Sequence, residues 1–508
     1  MAATDVGPQT PVIQVTVVHG QGHTAKLPPR RPRAERRALA QKLMAIVGEK
    51  HVFWDDYDLM LYQYDGSIDI GLPDAVVLPS SAEQVQAIVR LARAEGVPIV
   101  ARGAGTGLSG GCIPLEGGIV LSFARMNRIL EIDLENLRAV VEPGVVNLHL
   151  SQRVAPYGLY FVPDPSSQKA CTIGGNVGEN SGGPHTLCYG VTTNHVLGLE
   201  CVLPDGELVR MGGKVLDGPG YDLTGVIVGS EGTLAIVTKI WVKLVALPEA
   251  VKTLLAIFNT VEDASNTVSA IIASGVIPAA LEMMDHLTIQ AVEQSVHAGY
   301  PLDAGAVLLI ELEGLREEIE VQAEAIIGIC EQHHAREVRV AKSAKERELL
   351  WAGRKGAFGA LGRISPDFYV MDGVIPRSRL PEVLKRIDAV GAKYGFRVAN
   401  VFHAGDGNLH PNLLFDSDRP GELERVREAG AEIIRICAEV GGSLSGEHGI
   451  GIEKRDLMPL IFSEADLATM KRVKHAFDPD ERFNPGKVFP VPGACVGIVP
   501  RTNMQGGW

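Results

Sequence analysis

From Pro73 onward the chain alternates short apolar runs with amphipathic stretches, the pattern of strands and helices in one framework. Ala75-Val-Val-Leu-Pro79 reads as a strand, and Ser81 stands at the N-cap of a helix over Ala82 to Ala94. Gln84, three residues after that cap, completes a capping-box pattern. Gly96 to Ala101 is the next strand and runs into a glycine-rich loop. Beyond Val251 the texture changes. Helices at Val261 to Ser274 and Arg316 to His333 alternate with strands at Leu254 to Phe258, Val307 to Glu311, Glu337 to Val340 and Phe368 to Val374. Those lengths predict a smaller α+β layer, a sheet covered on one face by helices. Arg397 to Phe402 and Leu409 to Phe415 read as strands, and the turn residues Gly-Asp-Gly-Asn between them predict a hairpin. The segment Phe477 to Gly486 is punctuated by proline and ends without a long helix.

Residues 1 to about 33 are polar and broken by Pro and Gly, which predicts disorder. The basic stretch Ala34 to Val47, with Arg36 and Arg37, reads as a helix with a solvated face; weak attraction to an anionic membrane or partner is the alternative. At 508 residues two or three domains are expected, and 46% apolar with 21% charged residues is a globular composition. No run approaches the roughly 18 apolar residues of a membrane span, and the N-terminus has no apolar signal core, so a cytoplasmic protein is expected, at most peripheral at a membrane. A net charge of −13 opposes general nucleic-acid binding, which needs a basic surface. Seven cysteines without a Cys-x-x-Cys pair speak against a disulfide framework, a zinc knot or an internal iron–sulfur cluster.

Glycine changes the picture most, with 57 residues and the excess concentrated between Gly96 and Gly232. Arg102-Gly-Ala-Gly-Thr-Gly-Leu-Ser-Gly-Gly111 directly follows a strand, so its amides can form a nest facing a phosphate. It is neither a Walker pattern nor a Rossmann fingerprint. Further clusters at Pro163 to Ser167, Thr172 to Asn176, Glu179 to Gly183 and Val228 to Val237 offer amides and short polar groups, which together suit a large dinucleotide. A second constellation is His403-Ala-Gly-Asp-Gly-Asn-Leu-His410, followed 37 residues later by Glu447-His448. His403, His410 and Glu447 suit zinc or a similar divalent ion, with manganese or iron as alternatives, and leave positions open for a substrate. The other reading of these four residues is unrelated hydrogen bonding in turns.

These motifs resemble the vanillyl-alcohol-oxidase-type flavoproteins, with their PCMH-type FAD-binding domain, and within them the FAD-linked D-2-hydroxy acid dehydrogenases. The resemblance covers about residues 50 to 490. It is strongest to the FAD-linked subunits of bacterial glycolate oxidases, notably in Trp351-Ala-Gly-Arg-Lys-Gly-Ala-Phe358 and Gly362-Arg-Ile-Ser-Pro-Asp367. It implies an α+β protein: a two-subdomain FAD-binding domain over residues 51–248, an antiparallel-sheet α+β cap carrying substrate and metal over 249–450, and a segment 451–508 returning to the flavin, after a flexible extension and basic helix over 1–50. It implies FAD contacts at Arg102, Gly103, Ala104, Gly105, Thr106, Gly107 and Leu108, and at Pro163, Asp164, Pro165 and Ser166. Thr172, Ile173, Gly174, Gly175, Glu179, Asn180, Gly182, Gly183, Tyr189, Gly190, Gly232, Ile236 and Asn484 complete that set. Covalent-flavin members carry a histidine near the pyrophosphate loop. This chain has Ala104 to Gly107 there, so non-covalent FAD is expected.

The implied activity is oxidation of a small 2-hydroxy acid, glycolate or D-lactate, with the hydride passing to FAD. His448 is the expected general base, an imidazole whose unperturbed pKa is about 6.5. Arg354 matches the family's carboxylate-binding arginine. Relatives oxidising D-2-hydroxyglutarate, the alternative substrate, carry a threonine where this chain has Phe358, and a lysine near Tyr369. The resemblance further implies an iron–sulfur subunit and a second FAD-binding-like subunit as partners, with electrons passing on to quinone. A metal-dependent hydrolase or lyase, a redox-neutral FAD transferase and a non-enzymatic subunit are the competing classes, separable by flavin absorbance and by whether a hydroxy acid bleaches it.

Overall fold

Three strands pair in parallel at the start of the fold: Ala75–Val77, Ile119–Ser122 and Ile99–Arg102, with Val52–Phe53 antiparallel at the edge. The structure, a computed structural model, describes residues 30–215 and 218–491, together with the backbone of Thr16–His19 and His23–Lys26, which pair antiparallel. The disorder expected for residues 1 to 33 does not extend to residues 30–33, where Arg30 Nε donates to Pro73 O at 3.3 Å, the Arg31 amide donates to Asp74 at 3.3 Å and Arg33 begins a helix. The rest of that expectation, the two short strands aside, lies outside the described residues.

Ser81 caps the helix Ala82–Glu95 by accepting from the Gln84 amide at 3.4 Å, and Gly96 closes it at φ 61°. The Gln84 side chain reaches back one residue further than a capping box requires, accepting from the Ser80 amide at 2.8 Å. This helix and Arg33–Val47 cover the sheet with Leu39, Leu43, Val85, Ile88 and Val89. Arg36, expected on a solvated face, is buried and donates to Trp54 O at 3.2 Å and to Asp56 at 3.0 Å. The strand Ile99–Arg102 delivers the glycine-rich loop at its carboxyl end, where open α/β sheets place their ligands.

A five-stranded antiparallel sheet follows, ordered Leu208–Gly212, Val196–Val202, Ile236–Lys243, Arg138–Val141 and Ile129–Asp133. The third sheet has nine strands. Its central path runs Glu337–Val340, Ala250–Phe258, Ala306–Gly314, Ala280–Asp285 and Arg397–His403, then the short strands Asn408–Leu409 and Gly373–Val374. Pro411–Phe415 folds back antiparallel on Arg397–His403, giving the expected hairpin, and Asp367–Val370 pairs with it.

Helices cover both faces of this sheet, not one. Leu254, Ala256 and Phe258 pack under Val261–Ala273, Arg316–Gln332, Leu380–Tyr394 and Glu422–Glu439, whereas Leu255 and Ile257 pack under His286–Glu293, Ala344–Lys355 and Ala357–Leu361. The unbroken run Leu254 to Phe258 is therefore a strand apolar on both sides. Sequence reading missed the strand Ala280–Asp285.

After the helix Glu464–Phe477 the chain returns to the first sheet. Phe483 is 1% exposed in its core, and the Asn484 amide donates to Ile99 O at 2.8 Å. Lys474 Nζ anchors the turn on Asp478 at 2.5 Å, Thr233 O at 2.7 Å and Phe483 O at 3.1 Å. Phe483→Ala removes the ring that seals this junction and should cost about 3 to 5 kcal/mol. A denaturant midpoint equal to the parent's would contradict that assignment.

Candidate active site

The glycine-rich loop owes its path to close backbone approach. A side chain at Gly103 would collide with Thr172 Oγ1, and one at Gly105, where φ is 72°, would strike the Arg102 guanidinium folded across the loop. Thr172 caps the helix Ile173–Glu179 by accepting from Gly175 N at 3.2 Å, so two glycine clusters meet face to face. Between them opens a cavity of about 420 Å³. Arg102, Gly103, Ala104, Gly105, Thr106, Gly107 and Leu108 line it, as do Pro165, Ser166, Thr172, Gly174, Gly175, Glu179 and Gly232. Phe358, Glu447 and His448 also line it. A cavity walled on two sides by glycine-rich backbone fits a long, flat cofactor carrying phosphates.

The other residues named for FAD stand behind this lining. Pro163 O accepts from Asn147 Nδ2 at 2.8 Å, and Asp164 pairs with Lys355 and His185, each at 3.0 Å. Ile173 is buried in the core of the five-stranded sheet and Ile236 in that of the parallel sheet, the latter because the flanking Ala235 and Val237 take the cavity side of the strand. Asn180 ends its helix at φ 56° and accepts from Thr193 N. Gly182 abuts the Glu447 carboxylate, Gly183 the Asp164 backbone and Gly190 the Asn194 side chain, while Tyr189 OH donates to Glu313 at 2.7 Å. Asn484 Nδ2 donates to Gly111 O and Glu231 O at 2.7 and 2.6 Å, stapling two cofactor loops together.

Beside the cavity the hairpin brings His403 and His410 together, with ring centroids 5.1 Å apart. Nε2 of each lies 3.1 Å from the same Glu447 Oε1. Nδ1 of His403 faces Glu282 at 2.8 Å, and Nδ1 of His410 faces Met371 O at 3.4 Å. With a hydrogen on Nδ1 of each neutral ring, two Nε2 lone pairs aim at one carboxylate oxygen. A proton on His403 Nε2 or a metal ion relieves that arrangement, and the three donor atoms, all within 4.8 Å of one another, could hold a metal. Burial lowers the His403 pKa, but Glu282 and Glu447 outweigh it and hold the imidazole well above its ordinary value. Burial likewise raises Glu447, and His403 and His410 hold it well below the carboxylate range.

His448 stacks on His410, centroids 4.8 Å apart and planes 2° apart, and its Nδ1 is buried with no hydrogen-bond partner among the described residues. Its pKa differs from the unperturbed value expected: burial pushes it down to about 4, with Asp372 opposing, so the ring is neutral at pH 7. Arg354 is 1% exposed, not solvated; Nη2 lies 2.5 Å from Glu282, while Nε and Nη1 have no hydrogen-bond partner among the described residues.

Two residues escaped sequence reading. Glu282 links Arg354 to His403. Asp372 accepts from Ser445 Oγ at 2.6 Å and from the Gly446 and His448 amides at 3.1 and 3.0 Å, shaping the turn that presents Glu447 and His448. The available signal was an acid inside an apolar run, Leu-Glu-Met-Met and Val-Met-Asp-Gly.

Comparison with known proteins assigns the class. Residues 73–212 match the FAD binding domain family, and residues 247–488 match the C-terminal domain of FAD linked oxidases. The chain is 49% identical to glycolate oxidase subunit GlcD of Escherichia coli (strain K12), over 91% of this chain and 93% of that one. Identity is 44% to the GlcD of Bacillus subtilis (strain 168), covering 89% and 96%, and 35% to a D-lactate dehydrogenase of Archaeoglobus fulgidus, covering 84% and 95%. Among solved structures, p-cresol methylhydroxylase with substrate bound superposes with a TM-score of 0.76 at 18% identity, covering 91% and 99%, a likeness of fold. The protein is an FAD-dependent oxidoreductase. It belongs to the FAD-linked oxidase family that includes the glycolate oxidase subunits GlcD.

Glu282→Gln strips the counter-charge from the buried Arg354 and should lower stability by about 3 to 5 kcal/mol. Chemical denaturation of parent and variant checks this; a difference below about 1 kcal/mol, the scale of an exposed ion pair, would contradict it.

Proposed function

We propose that the enzyme oxidises a small 2-hydroxy acid, glycolate or D-lactate, to the 2-oxo acid. The observation that carries this reading is the convergence of His403 and His410 Nε2 on Glu447 Oε1, next to an unpartnered His448 Nδ1 and the flavin cavity. When bound, FAD supplies the hydride acceptor, and a divalent ion at these three residues, zinc with manganese or iron as alternatives, supplies a Lewis acid.

The side chains do the remaining work. Arg354 grips the substrate carboxylate through the guanidinium nitrogens that Glu282 leaves free. His403, His410 and Glu447 fix the hydroxyl, and Nδ1 of the neutral His448 takes its proton as C2 gives up a hydride. Phe358 stacks on Phe368 with centroids 6.4 Å apart and meets His410 edge-on at 6.3 Å. A second substrate carboxylate against that aromatic wall would lose its hydration without a charge partner, which favours small acids over D-2-hydroxyglutarate.

FAD is held non-covalently. The names of the relatives, subunits of glycolate oxidase, support a chain that works beside partner subunits; in this reading those are an iron–sulfur subunit and a second FAD-binding-like subunit, with electrons passing on to quinone. No helix among the described residues is long and apolar enough to cross a membrane, which fits a cytoplasmic enzyme held at the membrane by its partners.

Anaerobic mixing should bleach the flavin with glycolate or D-lactate and only weakly with D-2-hydroxyglutarate. His448→Asn should keep FAD yet slow that bleaching on the order of 100-fold or more. Arg354→Ala should lower kcat/KM roughly 10- to 150-fold with FAD content unchanged. Unimpaired bleaching by His448→Asn, or a preference of the parent for D-2-hydroxyglutarate, would defeat the reading.

A further inference from the structure

Two carboxyl groups of the cavity wall face each other across a glycine. Glu179 ends the helix Ile173–Glu179 and Glu231 follows Ser230; both line the cavity. A side chain at Gly449 would run into Glu179 Oε2 on one side and Glu231 Oε1 on the other. Their hydrogen bonding is unequal. Glu231 Oε1 accepts from the amides of Ile450 at 2.7 Å and Gly451 at 3.0 Å, and Oε2 accepts from Gly451 at 2.8 Å. Glu179 Oε2 is buried with no hydrogen-bond partner among the described residues, and its Oε1 rests against Gly111 of the glycine-rich loop.

The cations nearby are committed elsewhere. Lys454 Nζ lies 3.1 Å from Glu453 Oε2, 3.1 Å from Gly449 O and 3.5 Å from Asp372. Lys487 Nζ donates to Ile113 O at 2.6 Å and Asn484 Oδ1 at 2.9 Å. Asp65 adds a further carboxyl group to the same wall. Burial first, then the charges of Glu231 and Asp65, push Glu179 well above the usual carboxylate range, against the pull of Lys454 and Lys487. Burial also raises Glu231, but the Gly451 and Ile450 amides favour its charged form.

We propose that Glu179 is the neutral acid of this pair and donates its carboxyl hydrogen to an acceptor atom of the bound flavin nucleotide, while Glu231 carries the charge. The unequal hydrogen bonding decides which partner keeps the proton, and the orphan oxygen of this lining residue needs an acceptor that the described residues do not provide. Phosphate oxygens and flavin carbonyls are such acceptors; an ionised carboxylate would repel them. A neutral donor also favours the electron-rich reduced flavin, which a negative charge would disfavour. The proposal rests on FAD binding alone and is independent of which hydroxy acid is oxidised.

Infrared spectra and flavin reduction potentials of the FAD-loaded protein test it. The parent should show the carbonyl band of a protonated carboxylic acid, sensitive to deuterium exchange and missing from Glu179→Gln. Because the amide remains a donor, Glu179→Gln should shift the reduction equilibrium by less than about threefold. Glu179→Ala, which has no donor, should shift it about tenfold against reduction, roughly 30 mV for a two-electron couple. Absence of the band from the parent would overturn the proposal. So would a Glu179→Gln potential raised by tenfold or more, the mark of a deleted negative charge, or a Glu179→Ala potential equal to the parent's. If Glu179→Ala does not fold with FAD, the parent and Glu179→Gln spectra decide alone.

Discussion

A single carboxylate oxygen, Glu447 Oε1, stands 3.1 Å from two imidazole nitrogens whose opposite ring nitrogens face Glu282 and Met371 O. In water such a cluster would rearrange. Here all three side chains are held by the fold, and the cost of burying uncompensated lone pairs demands a positive charge among them. Without a metal, the extra proton goes to His403, caught between Glu282 and Glu447. With one, the same nitrogens and oxygen become ligands and Glu282 becomes the group that orients the first of them.

Most of the surrounding architecture maintains this standoff. The strand Ala280–Asp285 pairs with Arg397–His403 so that Glu282 lies opposite His403 in register. Asp372 accepts from the Gly446 and His448 amides of the 445–448 turn, and Glu231 from those of Ile450 and Gly451, tying that turn to the flavin cavity. Phe483 and Asn484 bring the last described segment back onto the first sheet, beside the loop that lines the same cavity. The candidate site residues thus lie where separate cores meet, and no single core positions them.

The sequence showed the parts of this arrangement that are local. The glycine loop after Ile99–Arg102, the Ser81 cap and the hairpin between His403 and His410 each announce themselves through spacing and turn chemistry over a few residues. What stayed hidden is set by packing. The second covered face of the third sheet follows from helices distant in sequence, and the Ala280–Asp285 strand carries two acids in a run of six residues, a weak β pattern. Glu282 and Asp372 work only because Arg354, His403 and the 445–448 turn arrive from elsewhere. The environment of His448 was equally out of reach: a reference pKa was expected, whereas burial against His410 moves it to about 4.

Whether a metal supplies that positive charge is tested most directly by metal analysis of the purified holoenzyme beside His403→Ala and His410→Ala. One divalent ion per chain in the parent, lost from both variants while FAD stays bound, is the predicted result. A parent that carries no metal after dialysis against chelator and still reduces its flavin with substrate at the untreated rate would contradict it.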